Sequence, residues 1–149
     1  MGSVEAEDGA ICSMESSNSN ITEPESFASA IFNLFQSNRF GVLLDGATIP
    51  LARYEIGNII WKNYKIRNRI SKQEAKDSST VMFELLDSME QIVPSSASTL
   101  ALSLEEGLTF YDSSYLVSAI ETGYELVTDD IKLQKIASSK VLTRRSSDL

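Results

Sequence analysis

The 149-residue chain is 42% hydrophobic with a formal charge of −8, enough for one domain to bury a core without covalent staples. It has no histidine and a single cysteine, Cys12, which excludes histidine general bases, Ser-His-Asp triads, histidine-ligated or four-cysteine zinc and any internal disulfide. Carboxylates, hydroxyls, Lys, Arg and Tyr remain for chemistry, and acid-rich sites of that kind suit hard cations such as Mg²⁺ or Mn²⁺.

Residues 1–26 hold six of the 21 acids and none of the 13 bases, so the rest of the chain carries 15 acids against 13 bases and is close to neutral. Rich in Ser, Asn, Glu and Gly, residues 1–26 read as an acidic, disordered N-terminal tail. Its exception is the apolar run AICSM at 10–14, which reads as a short strand. The N-terminus lacks the basic and apolar regions of a signal peptide, and no apolar run approaches a membrane span. With the lone cysteine, this predicts a soluble cytoplasmic protein.

The domain is expected over 27–142. Residues 27–35 (FASAIFNLF) carry apolar side chains at helical spacing, and Asn38-Arg39 ends that helix. Asp45-Gly46 is a turn signal, and 47–49 reads as a brief strand. A helix over 50–65 follows, with Pro50 in its first turn and an apolar stripe of Ala52, Ile56, Ile59 and Ile60. Glu55 falls inside that stripe with Asn58 beside it. An inward carboxylate is costly unless paired, protonated or metal-bound; the alternative is a surface acid at the stripe's edge.

Lys62, Lys65, Arg67, Arg69 and Lys72 form the densest basic run, either a solvated helix end or a contact for phosphate backbone. Ser71 and Glu74 make a capping box for a helix reaching about Gln91, with an apolar face of Val81, Leu85, Leu86 and Met89. Ile92-Val93 reads as a strand, then 96–106 as a helix closed by Gly107. Thr109 and Asp112 read as the cap of the next helix, yet Asp112 precedes Leu116, Ala119 and Ile120 at inward spacing. After Gly123, residues 125–128 read as a buried strand, and Asp129 or Asp130 can N-cap the helix beyond it. Val141-Leu142 reads as an edge strand and 143–149 as a flexible tail.

Helices alternating with short apolar strands predict an α/β fold with a central, mainly parallel sheet covered by helices on both faces. Ligands of such sheets bind at the carboxyl ends of the strands, where Thr128, Asp129 and Asp130 stand.

Two stretches in this order, LARYEIGN at 51–58 and FYDSSYLVSAIETGYELVTDD at 110–130, resemble the PIN domain family, especially the VapC-type toxins of archaea and bacteria. The resemblance covers roughly 27–142 and implies a three-layer α/β/α fold and a Mg²⁺- or Mn²⁺-dependent ribonuclease. By motif position, Glu55, Asp112 and Asp130 are implied as catalytic, metal-holding acids, with Asp129 a more variable position. Ser29, Asn58 and Thr128 would orient those carboxylates or a water, and Lys62, Lys65, Arg67 and Arg69 would contact RNA. A VapB-like antitoxin and a homodimer are implied as partners.

The family opens with an apolar strand ending in an Asp, and then a small residue, Ser and an aliphatic helix. Here residues 28–31 match the part after that Asp, and Phe27 holds the Asp position. Either the first strand and its acid are lost, which is the preferred reading, or AICSM supplies the strand and Glu15 the acid.

Overall fold

The computed structural model describes Ala10–Cys12 and residues 34–149. Five short strands form one sheet in the order β3-β2-β1-β4-β5, every neighbouring pair parallel. They are β1 (Ala10–Cys12), β2 (Ala47–Thr48), β3 (Glu90–Gln91), β4 (Glu125–Val127) and β5 (Thr143–Arg144). Consecutive strand residues point to opposite faces. Ala47 and Thr48 are both buried, as are Leu126 and Val127, so β2 and β4 are covered on both sides.

The helices are α1 (Phe40–Leu44), α2 (Leu51–Lys65), α3 (Lys72–Ser88), α4 (Ser96–Glu106), α5 (Phe110–Thr122) and α6 (Ile131–Ala137). Residues 34–36 are helical before α1. Local chemistry sets most of the boundaries. Ser71 accepts a hydrogen bond from the Glu74 amide while Glu74 accepts one from the Ser71 amide, completing the capping box of α3. Gly107 and Gly123 end α4 and α5 at φ +67° and +73°, a left-handed conformation that glycine adopts without a Cβ penalty. The core gathers Leu34, Leu43, Ile56, Met82, Leu86, Tyr115, Leu116, Leu126, Val127 and Leu133, all essentially closed to solvent.

Several expectations are corrected. The strand at Ala10–Cys12 lies at the centre of the sheet, registered against Ala47 on one side and Glu125–Val127 on the other. The domain therefore reaches back into the stretch expected as a tail, and the sheet has its first strand after all. The strand expected at Ile92-Val93 lies two residues earlier, because Met89 already has extended backbone and the ladder starts at once; Val93 is exposed. The edge strand expected at Val141-Leu142 lies two residues later, at Thr143–Arg144, and Leu142 is exposed. Residues 143–149 are thus a strand and a 3-10 turn (Ser146–Asp148) rather than a free tail. Val81 and Ile120 are exposed, and Met82 takes the inward place on α3. Phe27, Ser29, Glu15 and most of the helix expected over 27–35 lie outside the described residues. Among the described residues, no helix is long and apolar enough to cross a membrane.

Candidate metal centre

Strand order reverses beside β1: the chain moves outward through β2 and β3, then returns to β4 on the other side. The crevice at the carboxyl ends of β1 and β4 is where an open parallel sheet binds ligands. Three predicted acids are carried to that edge. Helix α2 leaves β2 through Ile49 and Pro50, so its first turns, with Glu55, lie at the carboxyl edge. Helix α5 lies against β1 and β4 and feeds β4 through the turn at Gly123, so it runs opposite to the strands. Its N-terminus, with Asp112 in the first turn, therefore lies at the same edge. Asp130 follows β4 and begins α6.

Glu55 is half-buried beside Ala52 and Ile56, which are closed to solvent. Its Oε1 accepts a 2.6 Å hydrogen bond from the hydroxyl of Tyr115, a side chain only 1% exposed. Burial pushes the Glu55 carboxyl up to about 7; the Tyr115 hydrogen bond opposes this, and the negative charge of Asp112 adds to it. Burial also raises Asp112, opposed by a hydrogen bond with the Thr109 side chain and by the positive charge of Lys132. Glu55 and Asp112, 57 positions apart in sequence, thus form one electrostatically coupled pair.

The other acids are engaged differently. Asp130 is buried, and its Oδ1 accepts from the Leu133 amide at 3.0 Å, the N-cap of α6. Its own amide donates to Oγ1 of Thr128, itself fully buried, at 3.1 Å. Asp129 accepts from the Ser146 amide at 2.9 Å and from the Ser146 hydroxyl at 2.6 Å, which ties the C-terminal 3-10 turn to the end of β4. Asn58 is exposed. Among the described residues, no three of His, Cys, Asp and Glu come together at metal-ligating range.

Sequence reasoning missed Tyr115 and Lys132. Tyr115 stands three residues after Asp112 on the same helix, so helical spacing alone places both on one side. Lys132 had no local signal; its relation to Asp112 arises from the packing of α6 near the start of α5, where its Nζ also reaches the Gly107 carbonyl at 3.5 Å.

The donor set fits a hard divalent cation. Two partly buried carboxylates, both raised chiefly by burial, are what a cation relieves, and Mg²⁺ is commonly held by one or two carboxylates with water and substrate phosphate completing its shell. All candidate ligands are oxygens, which disfavours the softer transition metals.

Comparisons with known proteins agree with this architecture. No protein-family model matches the chain. It is 34% identical to Exonuclease VapC9 of Pyrobaculum aerophilum over 88 residues, 58% of this chain and 63% of that one. It is 33% identical to Ribonuclease VapC3 of the same organism over 90 residues, 58% of this chain and 66% of that one. The chain therefore spans a little under two thirds of the length of the curated relatives it matches. The crystal structure of PAE2754 from Pyrobaculum aerophilum superposes with a TM-score of 0.67 at 23% identity, covering 91% of this chain and 90% of the other, a likeness of fold. The chain has a PIN-like α/β fold and is similar in sequence, over part of its length, to Exonuclease VapC9 and Ribonuclease VapC3.

Proposed function

We propose that the chain is a metal-dependent endoribonuclease of VapC type, with Glu55 and Asp112 as the principal metal-holding acids and Asp130 at the same edge of the sheet. The observation that carries this reading is the coupled, half-buried Glu55–Asp112 pair at the carboxyl edge of the sheet, with Glu55 pushed up to about 7. A Mg²⁺ or Mn²⁺ ion held there would supply Lewis-acid polarisation of a phosphate and a water acidic enough to attack it.

The chain's own residues would prepare that chemistry. Tyr115 fixes one oxygen of Glu55 and so sets the direction of the other. Thr109 and Thr128 orient the backbone at Asp112 and Asp130 through hydrogen bonds of 3.1 Å each. Lys132 offsets the charge of Asp112 and offers a cation to the non-bridging oxygens of a bound phosphodiester. A VapB-like antitoxin would fit as the physiological inhibitor and a homodimer as the assembly.

A second reading is favoured by a specific observation. Asp130 is committed to capping α6 and Asp129 to Ser146, which leaves Glu55 and Asp112 as the coupled pair. The resemblance implies a further acid, at the Phe27 position or, since β1 supplies the first strand, at Glu15; without it the same fold would bind RNA or an antitoxin without cutting. Cleavage of a structured RNA in Mn²⁺ by this chain, Phe27→Asp and Glu55→Gln separates the two. The nuclease reading expects activity in the parent chain that Glu55→Gln abolishes. Activity restored only by Phe27→Asp assigns the binding role, and inactivity of both sinks the nuclease.

A further inference from the structure

The buried side of α2 presents Ala52, Ile56, Ile60 and Asn63 to the core. At 100° per residue the opposite side carries Tyr54, Asn58, Trp61 and Lys65 within an arc of about 60°. All four are exposed, Tyr54 by 74% and Trp61 by 52%. Two large aromatics directly opposite the core add little to packing, and single exposed apolar residues elsewhere need no such explanation.

Beside Tyr54 the charge is mixed, with Glu55 on one side and Arg53 paired to Asp87 on the other, but towards the C-terminal end of the face it has one sign. From Ile56 to Gln73 there is no acid, while Lys62, Lys65, Arg67, Arg69 and Lys72 supply five cations in a chain whose net charge is −8. Asn68, at φ 50°, turns the chain after α2 and keeps this cationic segment at the helix end. Glu55 borders the other end of the stripe, one residue from Tyr54. A rise of 1.5 Å per residue puts about 15 Å between Glu55 and Lys65. Aromatic faces alternating with amide and cationic groups along a groove-free track are what binds unpaired bases and their phosphates. A duplex hides its base faces and offers the stripe only its backbone.

We propose that the solvent face of α2 is a stacking track for single-stranded RNA. Tyr54 and Trp61 receive unpaired bases, Asn58 hydrogen-bonds between them, and Lys65 with the following cations holds the phosphates. The strand would enter over the basic end and reach Glu55 and Asp112. This rests on the nucleic-acid reading of the site, but not on the site being able to cut.

Trp61 is the chain's sole tryptophan, so its fluorescence reports the track directly. The full chain in EDTA, where no cleavage proceeds, is titrated with a twelve-nucleotide single-stranded oligoadenylate, with a duplex of equal length, and with polyglutamate. The track predicts saturable quenching by the single strand, much weaker quenching by the duplex, and none by polyglutamate. Tyr54→Ala should weaken single-strand binding about tenfold while Tyr54→Phe keeps it. Lys65→Gln with Arg69→Gln should flatten the salt dependence.

Absence of quenching, equal response to duplex, or a Tyr54→Ala variant that binds as tightly as the parent would overturn the proposal. So would quenching by polyglutamate alone, which assigns the face to an acidic protein. An emission maximum already blue-shifted and moving on dilution would assign it to a second copy of the chain. Quenching without Mn²⁺-dependent cleavage elsewhere would leave the track standing and the nuclease reading refuted; the reverse result would do the opposite.

Discussion

Replacing Glu55 by Gln should make the protein more stable at neutral and alkaline pH. The carboxyl ordinarily titrates at 4.5 and burial pushes it up to about 7 in the fold. The folded pKa is raised, so between these values the folded form holds a proton that the unfolded form has released. Stability is then fully present below pH 4.5, falls by about 1.4 kcal/mol per pH unit, and levels off above about pH 7. The total loss is roughly 3 kcal/mol, which Gln avoids because it carries no charge at any pH while still accepting the Tyr115 hydrogen bond.

For a chain of this length, that corresponds to a Tm roughly 6–12 °C higher for the variant at pH 8 and no difference below pH 4.5. Thermal unfolding of both proteins followed by circular dichroism from pH 4 to 9 checks it, and taking the difference removes other titrating groups common to both. A cation at Glu55 should narrow the gap, because it stabilises the ionised parent and leaves the amide variant unchanged. A difference independent of pH, or a variant less stable than the parent at pH 8, would refute the electrostatic reasoning.

Substitutions at three further positions test the surroundings of the pair. Tyr115→Phe removes the hydrogen bond that holds the Glu55 carboxyl down, so the fall of stability should extend to higher pH and deepen by roughly 1.5–3 kcal/mol above pH 7 in a urea titration. Asp130→Asn keeps an N-cap for α6 and should unfold within about 0.5 kcal/mol of the parent, whereas Asp130→Ala should lose about 1 kcal/mol. If both variants lose Mn²⁺-dependent cleavage while differing in stability, capping and catalysis at Asp130 are separate roles. Ser146→Ala removes the hydroxyl bond to Asp129 and should cost about 1 kcal/mol, with faster amide exchange confined to β5 and the terminal turn.

Much of this architecture was legible in the chain because local chemistry fixes it. The Ser71–Glu74 capping box, the glycines at 107 and 123, and the buried stripe of α2 each specify one conformation without reference to the rest of the molecule. The edge strands were displaced by two residues because two-residue strands in parallel ladders are defined by partners far away in sequence. For β5 those bonds run from Leu126 N to Leu142 O and from Thr128 N to Arg144 O. The central position of β1 was hidden for a similar reason: Ala10–Cys12 is short, sits in a polar acidic stretch, and is a strand through its pairing with β2 and β4.

The site divides along the same line. Glu55 was conspicuous as an acid within an apolar stripe, and Asp112 as an acid at inward spacing. The two engagements of Asp129 and Asp130 were not separable in sequence, since adjacent aspartates before a helix are equally good caps. Which one caps is decided by Ser146, which approaches Asp129 from the far end of the chain. The Lys132–Asp112 relation likewise exists through tertiary packing.

Glu55 and Asp112 together are proposed to hold a divalent cation. Titration of the protein with Mn²⁺, followed by loss of the free-ion signal in electron paramagnetic resonance, tests it without depending on an RNA target. Saturable binding is expected near pH 8, weakening as pH falls below about 7 where Glu55 takes up its proton, and lost in both Glu55→Gln and Asp112→Asn. Binding that survives both substitutions, or no binding by the parent chain at any pH, would contradict it.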